Sequence, residues 1–227
     1  MKFENFLNLM DTLLGENGCP WDKEQTHESL RPYLLEECYE TLEAIDSGDM
    51  AALREELGDM LLQVVFHAKL AEKAGGFTID DVIAGVCHKL TSRHSHIFGE
   101  DTATSAEDVL KVWEANKKKE RRLTPYEAMA AVPRAMPALM RASKVVKIAS
   151  EVGEGVCVEE VVGEVREYLG KFAVAVMIHQ DMNDSAPAGE GDSAVLGDML
   201  LKIVSLSNAL GVNAELALAG AVDRVVG

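Results

Sequence analysis

Apolar residues recur at three- and four-residue spacing along most of the chain, and the alternation that marks half-buried strands is scarce, so the pattern predicts an all-α protein. Near the start a helix is expected over 3–14, where Phe6, Leu7, Met10, Leu13 and Leu14 form one stripe that Gly15 and Gly18 bring to an end. After the polar loop NGCPWDKEQTHES, helices are expected over 30–45, 50–73 and 79–93. Pro32 falls in the first turn of the earliest of these, where its missing N–H leaves no helical bond unmade, and Thr78 stands as the N-cap of the last. A further helix is expected over 107–122. Pro125, Pro133 and Pro137 then interrupt the period, which sets the expected division into a first domain over 1–122, a linker over 123–137 and a second domain over 138–227.

The second domain repeats the first. LGDMLLQVVFHAKL, from Leu57, returns as LGDMLLKIVSLSNAL from Leu196, and a helix over 158–177 takes the place of the one over 30–45. A stretch rich in Gly, Pro, Ser and Asp, 180–193, separates the helices of the later pair and reads as a mobile loop. Two tandem helical bundles are the expected architecture.

The first pair of helices carries the candidate chemistry. Glu37 and Glu40 lie three apart before Gly48, and Glu56 and Asp59 lie three apart after it, so each pair shares a helix face. The break between the helices, Ser47-Gly48-Asp49-Met50, holds a poor helix former and an N-cap, and a break this short folds into an antiparallel hairpin. Glu40 and Glu56 are each eight positions from Gly48, and Glu37 and Asp59 are each eleven, so folding sets Glu40 opposite Glu56 and Glu37 opposite Asp59. Leu34, Leu42, Ile45, Leu53, Leu57 and Met60 turn the same helices toward a core, which leaves the acids at its edge, where repulsion and desolvation raise carboxyl pKa values. A hard divalent cation relieves that conflict. Mg²⁺ takes oxygen ligands and is commonly shared between carboxylates and substrate phosphates, and Mn²⁺ substitutes for it. Glu36 adjoins the cluster as a candidate outer acceptor or base, whereas Glu55 beside Arg54 reads as surface. In the second hairpin, folding about Asn183 sets Lys171 opposite Val195 and Tyr168 opposite Asp198, so one of the four acids remains.

Charge narrows the partners. With 38 acidic and 22 basic residues the net charge is −16, which argues against a nucleic-acid-binding surface and leaves room for a single phosphorylated small molecule met by local cations. Cys19, Cys38, Cys87 and Cys157 are widely spaced without a CxxC pair, so they read as buried or incidental thiols. The first residues include acids and no long apolar run, so neither a signal peptide nor a membrane span is expected, and the default is a cytoplasmic protein.

Glu36-Glu37-Cys38-Tyr39-Glu40, followed across the hairpin by Glu56-Leu57-Gly58-Asp59, resembles the EExxE…ExxD signature of the MazG family of all-α nucleoside triphosphate pyrophosphohydrolases. GCPWDKEQTHESL from Gly18, EELGDMLLQVVFHA from Glu55, KLTSRHSHIFGE from Lys89, VWEANKKKER from Val112 and PRAMPALMRASKVVKIASEVG from Pro133 are similar to further family segments, so the likeness covers nearly the whole chain. It implies two tandem bundles of the all-α NTP pyrophosphatase type, Mg²⁺ held by Glu37, Glu40, Glu56 and Asp59, and a homodimer. The implied reaction splits nucleoside triphosphates of broad base and sugar type between the α and β phosphorus atoms, giving monophosphate and pyrophosphate. Water is the implied nucleophile, with Glu36 or Glu40 taking its proton, Glu36 being preferred because a direct metal ligand is less free.

The leaving pyrophosphate needs cations. Lys89 and Arg93, four apart on one helix face, are the first candidates, and the run Lys117, Lys118, Lys119, Arg121 and Arg122 is the second. Trp113 is a candidate to stack on the base, and Trp21, Lys23, Gln25 and His27 are candidates to close over the nucleotide. His94 and His96 lie two apart, a spacing that does not share a helix face. In the second half, Glu167-Tyr168-Leu169-Gly170-Lys171 and Val195-Leu196-Gly197-Asp198 stand where the acids would be, which implies a degenerate domain and catalysis in the first domain alone. Two alternatives stand beside this reading: a non-catalytic helical dimer serving as scaffold or nucleotide sensor, and a narrow-substrate pyrophosphohydrolase acting on dUTP or a phosphoribosyl nucleotide.

Overall fold

The computed structural model describes residues 2–153, 157–181 and 189–227, and every regular element among them is a helix, as the spacing predicts. The chain divides into two compact units, Met1–Lys117 and Lys118–Gly227. The first holds α1 (Phe3–Leu14), α2 (Pro20–Glu24), α3 (Arg31–Ser47), α4 (Met50–Lys73), α5 (Ile79–Arg93) and α6 (Ser95–Phe98), and the division falls within α7 (Ala106–Arg121).

Local chemistry sets the ends of the first hairpin. Gly48 adopts φ +70°, the left-handed conformation that a side chain disfavours, and its N–H closes α3 on the Ile45 carbonyl at 3.2 Å. Asp49 then caps α4, its Oδ1 accepting from the N–H groups of Ala51 and Ala52 at 2.8 and 3.1 Å. α3 begins one residue later than the periodicity predicts and runs two residues further, up to this glycine. The core beneath the hairpin joins Met10, Leu30, Val65, Phe66, Ala68 and Ile79. Lys69 ties α4 to α1 through Asp11 at 2.7 Å and also reaches Glu72 at 3.1 Å; these hydrogen bonds hold its ammonium above the usual lysine range. Gly18 is required by close approach, because a Cβ there would lie 2.0 Å from the Leu13 carbonyl oxygen. The neighbouring Cys19 N–H donates to that same oxygen at 2.8 Å, which turns the chain sharply into α2.

The second unit holds α8 (Pro125–Ala130), α9 (Ala138–Ser150), α10 (Val158–Asp181), α11 (Glu190–Ala209) and α12 (Ala214–Val226). α10 and α11 pack as the counterpart of α3 and α4, with Lys202 on α11 bonded to Glu164 on α10 at 2.6 Å and Val204 and Val161 buried. α8 lies inside the segment 123–137, started by a capping box in which Thr124 and Glu127 each bond the other's backbone, with Pro125 at the first helical position. α10 extends four residues past 177, and α11 begins within the 180–193 stretch read as a loop; residues 182–188, with the turn about Asn183, lie outside the described residues. No single helix among the described residues is long and apolar enough to cross a membrane. The four cysteines are unpaired.

Candidate metal and nucleotide site

α3 presents Glu37 and α4 presents Glu56 and Asp59, and one carboxylate oxygen from each lies within 4.8 Å of the other two. All three are half-buried. Burial pushes the Glu37 carboxyl above its usual range, and the charges of Asp59, Glu40 and Glu56 push it further, against a hydrogen bond from Gln63 that pulls it down. Glu56 is raised likewise, by burial first and then by Glu40, Asp59 and Glu55. Glu40 is therefore the largest charge acting on Glu56, while it stays exposed and outside the tight trio. Glu36, one residue from Glu37, is exposed.

Gln63, one turn beyond Asp59, is 6% exposed. Its amide favours the charged form of Glu37, and its Oε1 is buried without a protein partner. The donor set is therefore made of oxygens alone, crowded and proton-seeking, with an orphaned amide oxygen beside it. That chemistry fits a hard divalent cation and offers nothing for a soft one.

A cavity of about 240 Å³ opens beside the cluster, its wall shared by Asp22, Glu37 and Gln63 with Trp21, Tyr33, Leu62 and Phe66. Trp21 meets Tyr33 edge to face, centroids 5.9 Å apart at 79°. Of the four loop candidates, Trp21 alone lines this cavity; the others brace the loop. Lys23 donates to the Glu16 carbonyl at 2.8 Å, and Gln25 donates to the Trp21 carbonyl at 2.9 Å while accepting from Ser29. His27 Nδ1 lies 2.8 Å from His67 Nδ1 on α4, with ring planes 7° apart and centroids 5.1 Å apart, so the bond runs nearly in the plane of both rings. Burial, and next the His27 charge, hold His67 below the usual histidine range.

The candidates on α5 and α7 form another group. Arg93 is buried, its guanidinium carbon 5.3 Å from the Trp113 centroid, and His94 meets the same ring nearly edge-on at 5.0 Å. Trp113 is thus engaged by protein groups. Lys89 is exposed, Lys117 pairs with Glu114 at 3.0 Å, and His94 Nδ1 bonds the Leu90 carbonyl. Sequence reasoning missed Gln63, His67 and Tyr33. A signal for the first two exists: Glu56, Asp59, Gln63 and His67 continue one stripe of α4 at steps of three and four.

Comparison with known proteins gives the family. Residues 25–98, which include the whole acid-bearing hairpin, match the MazG nucleotide pyrophosphohydrolase domain. The chain is 38% identical to a nucleoside triphosphate pyrophosphohydrolase of Escherichia coli strain K12, over 98% of this chain and 84% of that protein. It is 39% identical to a nucleoside triphosphate pyrophosphohydrolase/pyrophosphatase MazG of Thermotoga maritima, over 99% of this chain and 82% of the relative. A solved structure of a mazG-related protein from Thermotoga maritima, 32% identical, aligns over 51% of this chain and 98% of that one with a TM-score of 0.44. Identity of that level over nearly the full length, with the acids of the signature in place, means that the chain belongs to the MazG nucleotide pyrophosphohydrolase family.

Proposed function

We propose that the first hairpin hydrolyses nucleoside triphosphates of broad type to the monophosphate and pyrophosphate, with Mg²⁺ as cofactor. The observation that carries this reading is the meeting of the Glu37, Glu56 and Asp59 carboxylates within 4.8 Å, with Glu37 also on the wall of a cavity. Relatives named nucleoside triphosphate pyrophosphohydrolase support the substrate class.

A divalent cation held by Glu37, Glu56 and Asp59 supplies charge neutralisation for phosphate oxygens and Lewis acidity. Glu40, free of the trio and next to Glu56, is placed to take the proton from the attacking water. Gln63 favours the ionised form of Glu37, the form that holds a cation. The nucleoside enters the cavity between Trp21, Tyr33 and the apolar walls. Such walls contact the faces of a base and read few of its edge groups, so discrimination among bases is weak. Lys89, exposed on α5, and Arg93 are the cations assigned to the leaving pyrophosphate. On α5 the stripe Val82, Ile83, Val86 and Leu90 is 36–43% exposed, which suits a second copy of this chain and hence a homodimer.

The test is release of pyrophosphate against orthophosphate from a panel of NTPs and dNTPs with Mg²⁺. Pyrophosphate release with most of the panel, lost in Glu40→Gln and kept in Asp198→Asn, is the expected result. Turnover of one nucleotide alone would replace broad specificity with a narrow one, and no turnover with any would overturn the catalytic reading.

A further inference from the structure

The second unit lacks three of the four carboxylates and has a cavity of its own. In the shared segment Val65 and Val204 fall in register, and both are 0% exposed. The next residue is Phe66 in the first unit, part of the core cluster, and Ser205 in the second, which is nearly as deep at 7% exposed. A hydroxymethyl group fills far less space than a phenyl ring. A cavity of about 630 Å³ accordingly opens in the second unit between α9, α11 and the start of α12, within the size range of small-molecule sites.

The walls are specific in chemistry. Where Lys69 ties α4 to Asp11 on α1, the position in register on α11 is Asn208, tied to Ser143 on α9. Ser143 Oγ donates to Asn208 Oδ1 at 2.6 Å, and Asn208 Nδ2 donates back to the Ser143 carbonyl at 3.0 Å, so that wall is neutral and satisfied. Ser205 lines the cavity, and its hydroxyl has no hydrogen-bond partner among the described residues and stays open to the cavity, where an occupant can reach it. Lys147, exposed on α9, brings an ammonium to the cavity rim, and among the described residues it has no ion-pair partner and no carboxylate lines the cavity. Val146 and Val212 supply apolar wall between them.

An exposed cation, a hydroxyl open to the cavity and apolar walls suit an anionic head on an organic body. We propose that this cavity binds a phosphomonoester of nucleoside-monophosphate class, its phosphate on Lys147 and its body hydrogen-bonded by Ser205. The site is independent of the carboxylate cluster and of the reaction assigned to it.

The probe is AMP, titrated calorimetrically into the full chain in EDTA, which withholds divalent cations from the carboxylates. Saturable binding is expected, weakened at least about tenfold by Lys147→Gln and by Ser205→Phe, which restores the side chain found in the first unit, and unchanged by Glu56→Gln. Ser205→Ala, which keeps the space and removes the hydroxyl, is expected to weaken AMP by about threefold or more and covers the case in which the phenylalanine does not fold. Inorganic phosphate is expected to bind at least about tenfold more weakly than AMP. Absence of saturable AMP binding, binding that survives both Lys147→Gln and Ser205→Ala, or loss in Glu56→Gln would each overturn the proposal.

Discussion

The α3–α4 and α10–α11 hairpins bury the same valine from nearly the same sequence and treat charge in opposite ways. In the first, Glu37 and Glu56 crowd Asp59 and Glu40, and their carboxyl groups are held above the ordinary range. In the second, Lys171 stands in the register of Glu40, pairs with Glu167 at 2.7 Å and lies 5.4 Å from the Tyr168 centroid. That hydrogen bond holds the exposed Glu167 below the ordinary range, and Lys202, in the register of Gln63, bonds Glu164. One hairpin carries uncompensated negative charge that a cation completes, while the other compensates itself. The buried stripe that makes the hairpin and the polar stripe that makes the chemistry occupy different faces of the same helices, so either can change without the other.

The comparison breaks most decisively through activity. Glu40→Gln is expected to lower the rate of pyrophosphate release by about 10²–10⁴-fold, the usual worth of a general base, and Glu56→Gln by at least as much, whereas Asp198→Asn leaves it within about twofold. Steady-state kinetics on the three variants checks this. Rebuilding acids in the second hairpin sharpens the contrast: Tyr168→Glu, Lys171→Glu and Val195→Glu together are expected to add a second class of Mn²⁺ site visible by calorimetry, absent from the parent chain. A cation also stabilises. Mg²⁺ at about a hundredfold excess over its Kd is expected to raise Tm by roughly 5–10 °C at neutral pH, and the rise disappears in Glu37→Gln/Glu56→Gln.

Two pH effects are smaller and differ in sign. Glu37 and Glu56 titrate above their ordinary 4.5 when folded, so the cation-free protein binds extra protons in the folded state, and their contribution to stability grows as pH falls through the raised values toward 4.5. His67 titrates below its ordinary 6.5, so its contribution is present above pH 6.5 and is lost as pH falls through the lowered value. The second hairpin has Leu206 in that register. His67→Leu is therefore expected to flatten the stability profile just below pH 6.5, read from melts at closely spaced pH as a change of slope.

Counting outward from Gly48 was enough to bring Glu37 to Asp59 and to set Glu40 on the side of Glu56, though outside the trio, because a helix fixes direction and a tight turn fixes register. The all-α class and the bounds of α1, α4 and α5 were legible for the same reason: apolar period, glycine stops and caps are local signals. Contacts made at a distance were not. That Arg93 and His94 engage Trp113, or that His27 crosses to His67, depends on how the loops between helices return, which no local spacing encodes. α8 was readable from Thr124-Pro125 and Glu127, a short capping box hidden among prolines. The Ser205 cavity needed both sources: the repeat identifies the exchange of phenylalanine for serine, and only the packed structure says that the space stays open.

Gly48 touches no candidate ligand, yet it acts as a ruler. One residue added to the turn and absorbed as an extension of either helix would re-phase the acids that follow by about 100° and about 1.5 Å, carrying Glu56 and Asp59 off the face that meets Glu37. Each helix would still bury an apolar stripe after repacking, so such a descendant would keep a fold and lose a reaction. The length of a two-residue turn is thus a heritable trait of this enzyme as much as any of its acids, and alignments that slide a gap into it describe a protein without a cation site.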